Sequence, residues 1–113
     1  MTQDRKYLYE GMYILNATLS NDAREKALER IKEGITQRGG EIHKIHDQGR
    51  RRMAYEIEGK REGHYVVLYF SLNSTGIKEL WQEYHHHEDL IRFFTLRTET
   101  VKETLEFPAI IEQ

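Results

Sequence analysis

No cysteine occurs in the 113 residues, so neither a disulfide nor a thiolate-held metal can form. That usage suits a reducing cytosol. No run approaches the roughly 18 apolar residues of a membrane helix. The N-terminus also lacks an apolar run of signal-peptide length. The expectation is a soluble cytoplasmic protein. Serines are few, and neither a Gly-x-Ser-x-Gly elbow nor a phosphate-cradling glycine loop occurs. Glu56, Glu58 and Glu62 read as solvated surface, not as a paired acid and base. The residues therefore argue against an enzyme and name no cofactor. No internal repeat or low-complexity tract is present. Charge of one sign is missing too: 17 Lys+Arg face 19 Asp+Glu, a net of −2. A strongly basic field of the kind that draws nucleic acid is absent. The imbalance is local. From Thr98 onward four glutamates face only Lys102, and the body is left slightly basic.

What is present is one domain's worth of alternating elements. Tyr7 to Leu15, rich in aromatic and branched residues, reads as a strand. Ser20 can cap a helix over Asp22 to Arg38, with Ala27, Leu28, Ile31 and Ile35 on one face and Gly39-Gly40 stopping it. A second strand begins near Glu41. Ile42 and Ile45 break its alternation, which implies a bulge or an irregular strand. Met53, Tyr55 and Ile57 alternate, Gly59 to Gly63 reads as a polar turn, and His64 to Leu72 is the strongest strand. Ser74 or Thr75 can cap a second helix carrying Ile77, Leu80, Trp81 and Tyr84. Leu90 to Arg97 is the last strand. The order β-α-β-β-α-β predicts a ferredoxin-like α+β fold: a four-stranded antiparallel sheet with two helices on one face. Residues 1–97 form this domain, and 98–113 form an irregular acidic tail holding the only proline, Pro108.

Alternation assigns the two sheet faces. Val66, Leu68, Phe70 and Leu72 form the more aliphatic set, expected under the helices. Tyr65, Val67 and Tyr69 then fall on the open face, with Phe94 and Met12. An antiparallel sheet with one wet face normally shows polar residues there. This one is apolar on both, so either a partner docks on the open face or the acidic tail folds back over it. Read as exposed, Tyr69 should tolerate replacement by glutamate without loss of the fold.

His85-His86-His87 suggests a metal, but neighbouring helix residues point about 100° apart and cannot converge on one ion. His43 and His46 nominally face opposite sides of a strand. No metal site is expected. Arg50-Arg51-Arg52 with Lys60-Arg61 places five cations around one hairpin. Arg5-Lys6 precedes the first strand, and Arg92 and Arg97 flank the last. Guanidinium forks suit phosphate, and interleaved aromatics suit base stacking. From the residues alone, RNA binding and an ordinary charged surface both stay open.

Several segments resemble one known family in the right order. They are Tyr9-Glu10-Gly11-Met12-Tyr13-Ile14-Leu15, Gly49-Arg50-Arg51-Arg52-Met53-Ala54-Tyr55-Glu56-Ile57, Gly63-His64-Tyr65, and Glu88-Asp89-Leu90-Ile91-Arg92 with Arg97. The chain from Tyr7 to Arg97 is similar to bacterial small-subunit ribosomal protein S6. The triple histidine and Val101 to Gln113 depart from that pattern. The resemblance implies a ferredoxin-like fold, no catalytic activity and no cofactor. It implies binding, in the cytoplasmic ribosome, to the central domain of small-subunit ribosomal RNA jointly with ribosomal protein S18. A basic partner would explain the low net charge, since neutralised phosphates supply most of the affinity.

On that topology Arg5, Tyr9, Arg92 and Arg97 lie at the ends of neighbouring strands and are expected to contact RNA, with Arg51 and Arg52 as further candidates. Met12, Tyr65, Val67, Tyr69 and Phe94 are expected to meet the partner protein. Two other classes fit less well. An acylphosphatase-type hydrolase needs an arginine-bearing anion loop after the first strand, where Asn16-Ala17-Thr18-Leu19 stands instead. A regulatory domain self-associating through its sheet would fit the apolar face equally well.

Overall fold

The computed structural model describes residues 5–104. Its elements run β1 (Lys6–Asn16), α1 (Asn21–Gln37), β2 (Glu41–Ile57), β3 (Lys60–Asn73), α2 (Ser74–Tyr84) and β4 (Leu90–Arg97). The strands form one antiparallel sheet in the order β2-β3-β1-β4. This is the ferredoxin-like arrangement that the element order predicts.

Local chemistry fixes the boundaries. The Ser20 hydroxyl accepts from the Ala23 N–H at 3.1 Å, which caps α1 as expected. Ala27, Ile31 and Ile35, at a spacing of four, bury one stripe of that helix. For α2 the cap is Asn73, just before the expected Ser74 or Thr75. Its side chain accepts from Gly76 N–H at 2.7 Å while its backbone is still extended. The irregularity between Ile42 and Ile45 is a register shift opposite Phe70 and Tyr69. A second shift lies between Asp47 and Gly49. There Gly49 adopts φ 80° and its N–H donates to Asp47 Oδ1 at 3.0 Å. Of the polar stretch Gly59–Gly63 only Gly59 belongs to the turn, and Lys60 to Gly63 are strand. Glu58 and Gly59, both at positive φ, close the β2–β3 hairpin in two residues, and Lys60 already pairs with Ile57. Polarity there marks exposure beyond the core, since the hairpin continues with little to pack against.

The main core lies between the sheet and the helices. Tyr9, Tyr13 and Leu15 of β1 join Val66, Leu68, Phe70 and Leu72 of β3 against Ile31, Ile35, Ile77 and Leu80. Tyr13 and Tyr84 share a hydroxyl–hydroxyl hydrogen bond of 2.9 Å inside it. Burial, reinforced by the neighbouring Tyr84 phenol, holds the Tyr13 phenol well above its ordinary pKa.

Candidate nucleic-acid and partner interface

At one end of the sheet Tyr9 pairs across strands with Arg97. Tyr7, one alternation step earlier on the same face, lies beneath the Arg97 guanidinium, 3.8 Å from ring centroid to Cζ. Arg5 approaches the same ring at 5.2 Å. Two cations thus gather on one tyrosine by cation–π attraction, and among the described residues no carboxylate pairs with either. Tyr9 itself is buried and packs on Phe70 with ring centroids 5.8 Å apart. Burial raises its pKa and the adjacent Arg97 partly offsets that. Tyr9 therefore supports this end from beneath, and Tyr7 carries the cations. Alternation could have revealed Tyr7, since it shares a face with Tyr9 next to the arginine-bearing end of β4.

Arg92 lies at the other end of β4, opposite Ile14 on the face away from the helices. It borders a groove of about 590 Å³ that wraps the β4 edge between Trp81, Phe93 and Phe94. Five residues of β4 separate it from Arg97, about 17 Å of strand. The topology therefore unites Arg5 and Arg97 and leaves Arg92 apart. On the hairpin, Arg50 pairs with Glu62 at 2.6 Å. Arg51 is half-buried near Tyr65 and donates to Gln48 Oε1 at 3.4 Å, whereas Arg52 is exposed.

Met12, Tyr65, Val67, Tyr69 and Phe94 do lie opposite the helices, as alternation predicts. Their exposure differs from the expectation. Val67 is 1% exposed and Tyr69 0%, whereas Phe94 is 50% and its neighbour Leu96 52%. Two covers account for this. Met53 and Ile57 of the hairpin bury Tyr65, with Met12, Ile14 and Ile91 beside them. After β4 the chain returns across the β2–β3 half. The Lys102 carbonyl meets His46 Nε2 at 2.8 Å, and Lys44 Nζ pairs with Glu103 Oε1 at 3.0 Å. Beneath this strap the His46 ring stands edge-on to Tyr69, whose hydroxyl donates to Glu10 Oε2 at 2.6 Å. Burial and the Glu10 carboxylate push the Tyr69 phenol up to about 12. The tail alternative thus holds for the β2–β3 half, and Tyr69 is an interior side chain.

The three consecutive imidazoles diverge. His85 stands edge-on to Phe93, His86 is exposed, and His87 is buried beside Ala27 and Arg30 of α1. Among the described residues no group of three His, Asp or Glu side chains is placed to hold an ion. No helix there is long and apolar enough to cross a membrane.

Comparisons with known proteins bear on the family and the fold. Residues 8–97 match the family model described as ribosomal protein S6. The chain is 61% identical over 113 residues to the small ribosomal subunit protein bS6 of Protochlamydia amoebophila, covering 100% of this chain and 99% of that one. It is 55% identical to the Chlamydia pneumoniae bS6, covering 99% and 100%. The crystal structure of 30S ribosomal protein S6 from Thermotoga maritima superposes with a TM-score of 0.78 at 35% identity. That match covers 83% of this chain and 89% of that one.

Proposed function

Because the chain belongs to the ribosomal protein S6 family, a structural and non-enzymatic component of the small ribosomal subunit, we propose that it binds the central domain of small-subunit ribosomal RNA together with ribosomal protein S18. The observation that carries this reading is the junction at the β1–β4 end. At that end a guanidinium pair sits on Tyr7 on the helix side of the sheet, and an uncovered apolar strip of Phe94 and Leu96 lies on the opposite face of the neighbouring strand. Phosphate suits the first and a protein surface suits the second. Arg92 adds a separate cation at the far end of β4, on the same face as Phe94 and Leu96. Met12, between Val67 and Phe94 in the sheet, continues the apolar strip inward. Tyr65, Val67 and Tyr69 support the strip from beneath their covers.

The test is reconstitution of a central-domain transcript with this protein and S18. Arg97→Ala should weaken assembly and lower the salt slope by about 0.7–0.9, the value of one phosphate contact. Phe94→Glu should weaken S18 binding by about 2 kcal/mol, as expected for an anchor at an interface centre, and leave the melting temperature unchanged. If both variants assemble normally, the reading fails. A tight homodimer in sedimentation would assign the strip to self-association instead.

A further inference from the structure

The hairpin carries a second basic surface, far from the Tyr7 end. Arg50, Arg52, Lys60 and Arg61 surround a cleft of about 550 Å³ whose floor includes Asn16 and Thr18 at the end of β1. Glu62 in the lining is paired to Arg50, and Glu56 is paired to Arg61 at 3.3 Å. No carboxylate reaches Arg52 or Lys60 among the described residues. The cleft therefore keeps two cations available, and its net charge is positive. Beside it, Tyr55 is 70% exposed and shares a hollow of about 340 Å³ with Arg52 and Arg61. A tyrosine so exposed contributes nothing to the core. Standing next to two guanidiniums, it is a platform for a flat aromatic ligand.

We infer that the β2–β3 hairpin is a second RNA contact, with a backbone phosphate held in the Arg52–Lys60 cleft and an unpaired base stacked on Tyr55. This rests on the RNA reading above and extends it to a separate site. Charge decides between occupants. The cleft repels a basic protein and attracts a polyanion, and a phosphate flanked by a base supplies both the anion and the stacking face. Ten residues of β1 separate Lys6 from Asn16, about 33 Å of strand. The protein would then touch RNA at two points too far apart for one phosphate cluster, and would fix the relative position of two RNA segments.

Binding of the full-length protein to a central-domain transcript, with S18 present, tests this over a salt series. The double variant Arg52→Ala with Lys60→Ala should lower the log–log salt slope by about 1.4–1.8, two phosphate contacts' worth. Tyr55→Ala should weaken binding about tenfold or more, and Tyr55→Phe should restore it, because only stacking is at stake. Arg52→Lys with Lys60→Arg should keep the slope. All these side chains lie at the surface, so thermal melts should match the parent. If the hairpin double variant keeps the full slope while Arg5→Ala with Arg97→Ala reduces it, the hairpin inference is overturned and the RNA reading stands. If neither double variant changes the slope, the RNA reading itself fails. Loss of S18 affinity without RNA in the hairpin variant would make this surface a protein contact and also overturn the inference.

Discussion

The two halves of the sheet face opposite the helices have similar apolar composition and different fates. On the β2–β3 half, Val67 is buried, Tyr69 lies beneath the Lys102–Glu103 strap, and Tyr65 is covered by Met53 and Ile57. On the β1–β4 half, Phe94 and Leu96 stay half-exposed. The covered half has polar groups at its rim that can bind a returning chain: Lys44, His46 and the Tyr69 hydroxyl. The open half offers such a strap few polar partners. An apolar surface is thus closed internally where it carries hydrogen-bonding anchors, and it stays exposed where it does not. Sheet patterning alone does not distinguish the two.

The largest expected effect comes from treating the halves alike. Glutamate at position 94 would point into solvent, and stability should change by less than about 0.5 kcal/mol. Tyr69→Glu would place a carboxylate under the strap beside Glu10, with burial and like charge both opposing it. The expected loss is on the order of 4 kcal/mol in chemical denaturation. Equal effects at the two positions would mean that the strap does not cover its half.

A smaller effect concerns the other side of the sheet. Burial, with Arg30 adding to it, holds the His87 pKa below its ordinary value of 6.5, and Asp89 and Glu83 only partly offset this. The unfolded chain therefore binds a proton that the folded chain refuses. The stability from His87 is complete above pH 6.5 and is lost as pH falls below it toward the folded value. His87→Leu should flatten this part of the stability profile between about pH 7 and pH 5. A profile that keeps its slope would place the sensitivity elsewhere.

The smallest effect is at the strap's own ion pair. Glu103 is largely exposed, so the Lys44–Glu103 contact should contribute no more than about 0.5 kcal/mol. Lys44→Ala should leave the melting temperature nearly unchanged, yet it should speed hydrogen exchange in residues 101–104. A large drop in melting temperature would show that the strap is an integral part of the core.

Most of the fold was legible because local and global signals coincide. Ser20 announced α1 by its capping chemistry, the Ile42–Ile45 spacing announced the bulge, and β4 occupies Leu90–Arg97 as read. Polarity alone does not separate a turn from an exposed strand, as Lys60 to Gly63 show. Lys60 to Gly63 continue β3 because a hairpin two residues long needs nothing more than Glu58-Gly59. Asn73 escaped notice as a cap because it also ends a strand. For the interface, alternation gave the correct face for Tyr65, Val67 and Tyr69 but could not reveal their covers, which depend on where residues after β4 travel. Tyr7 was missed because its importance arises only when β1 and β4 are aligned and Arg97 is brought over its ring.

The sheet order places the first strand between β3 and the last strand, with Tyr9 opposite Arg97. During synthesis β1 emerges first and must wait for almost the whole chain before its second edge is paired. Until then the backbone N–H and C=O groups along that edge are open to any neighbouring strand. Loop-closure entropy delays such distant pairing, so closure by β4 belongs among the late events of folding. The same late step brings Arg97 over Tyr7 and Phe94 beside Met12. A chain that has not finished folding therefore lacks both the Arg97–Tyr7 contact and the Met12–Phe94 pair.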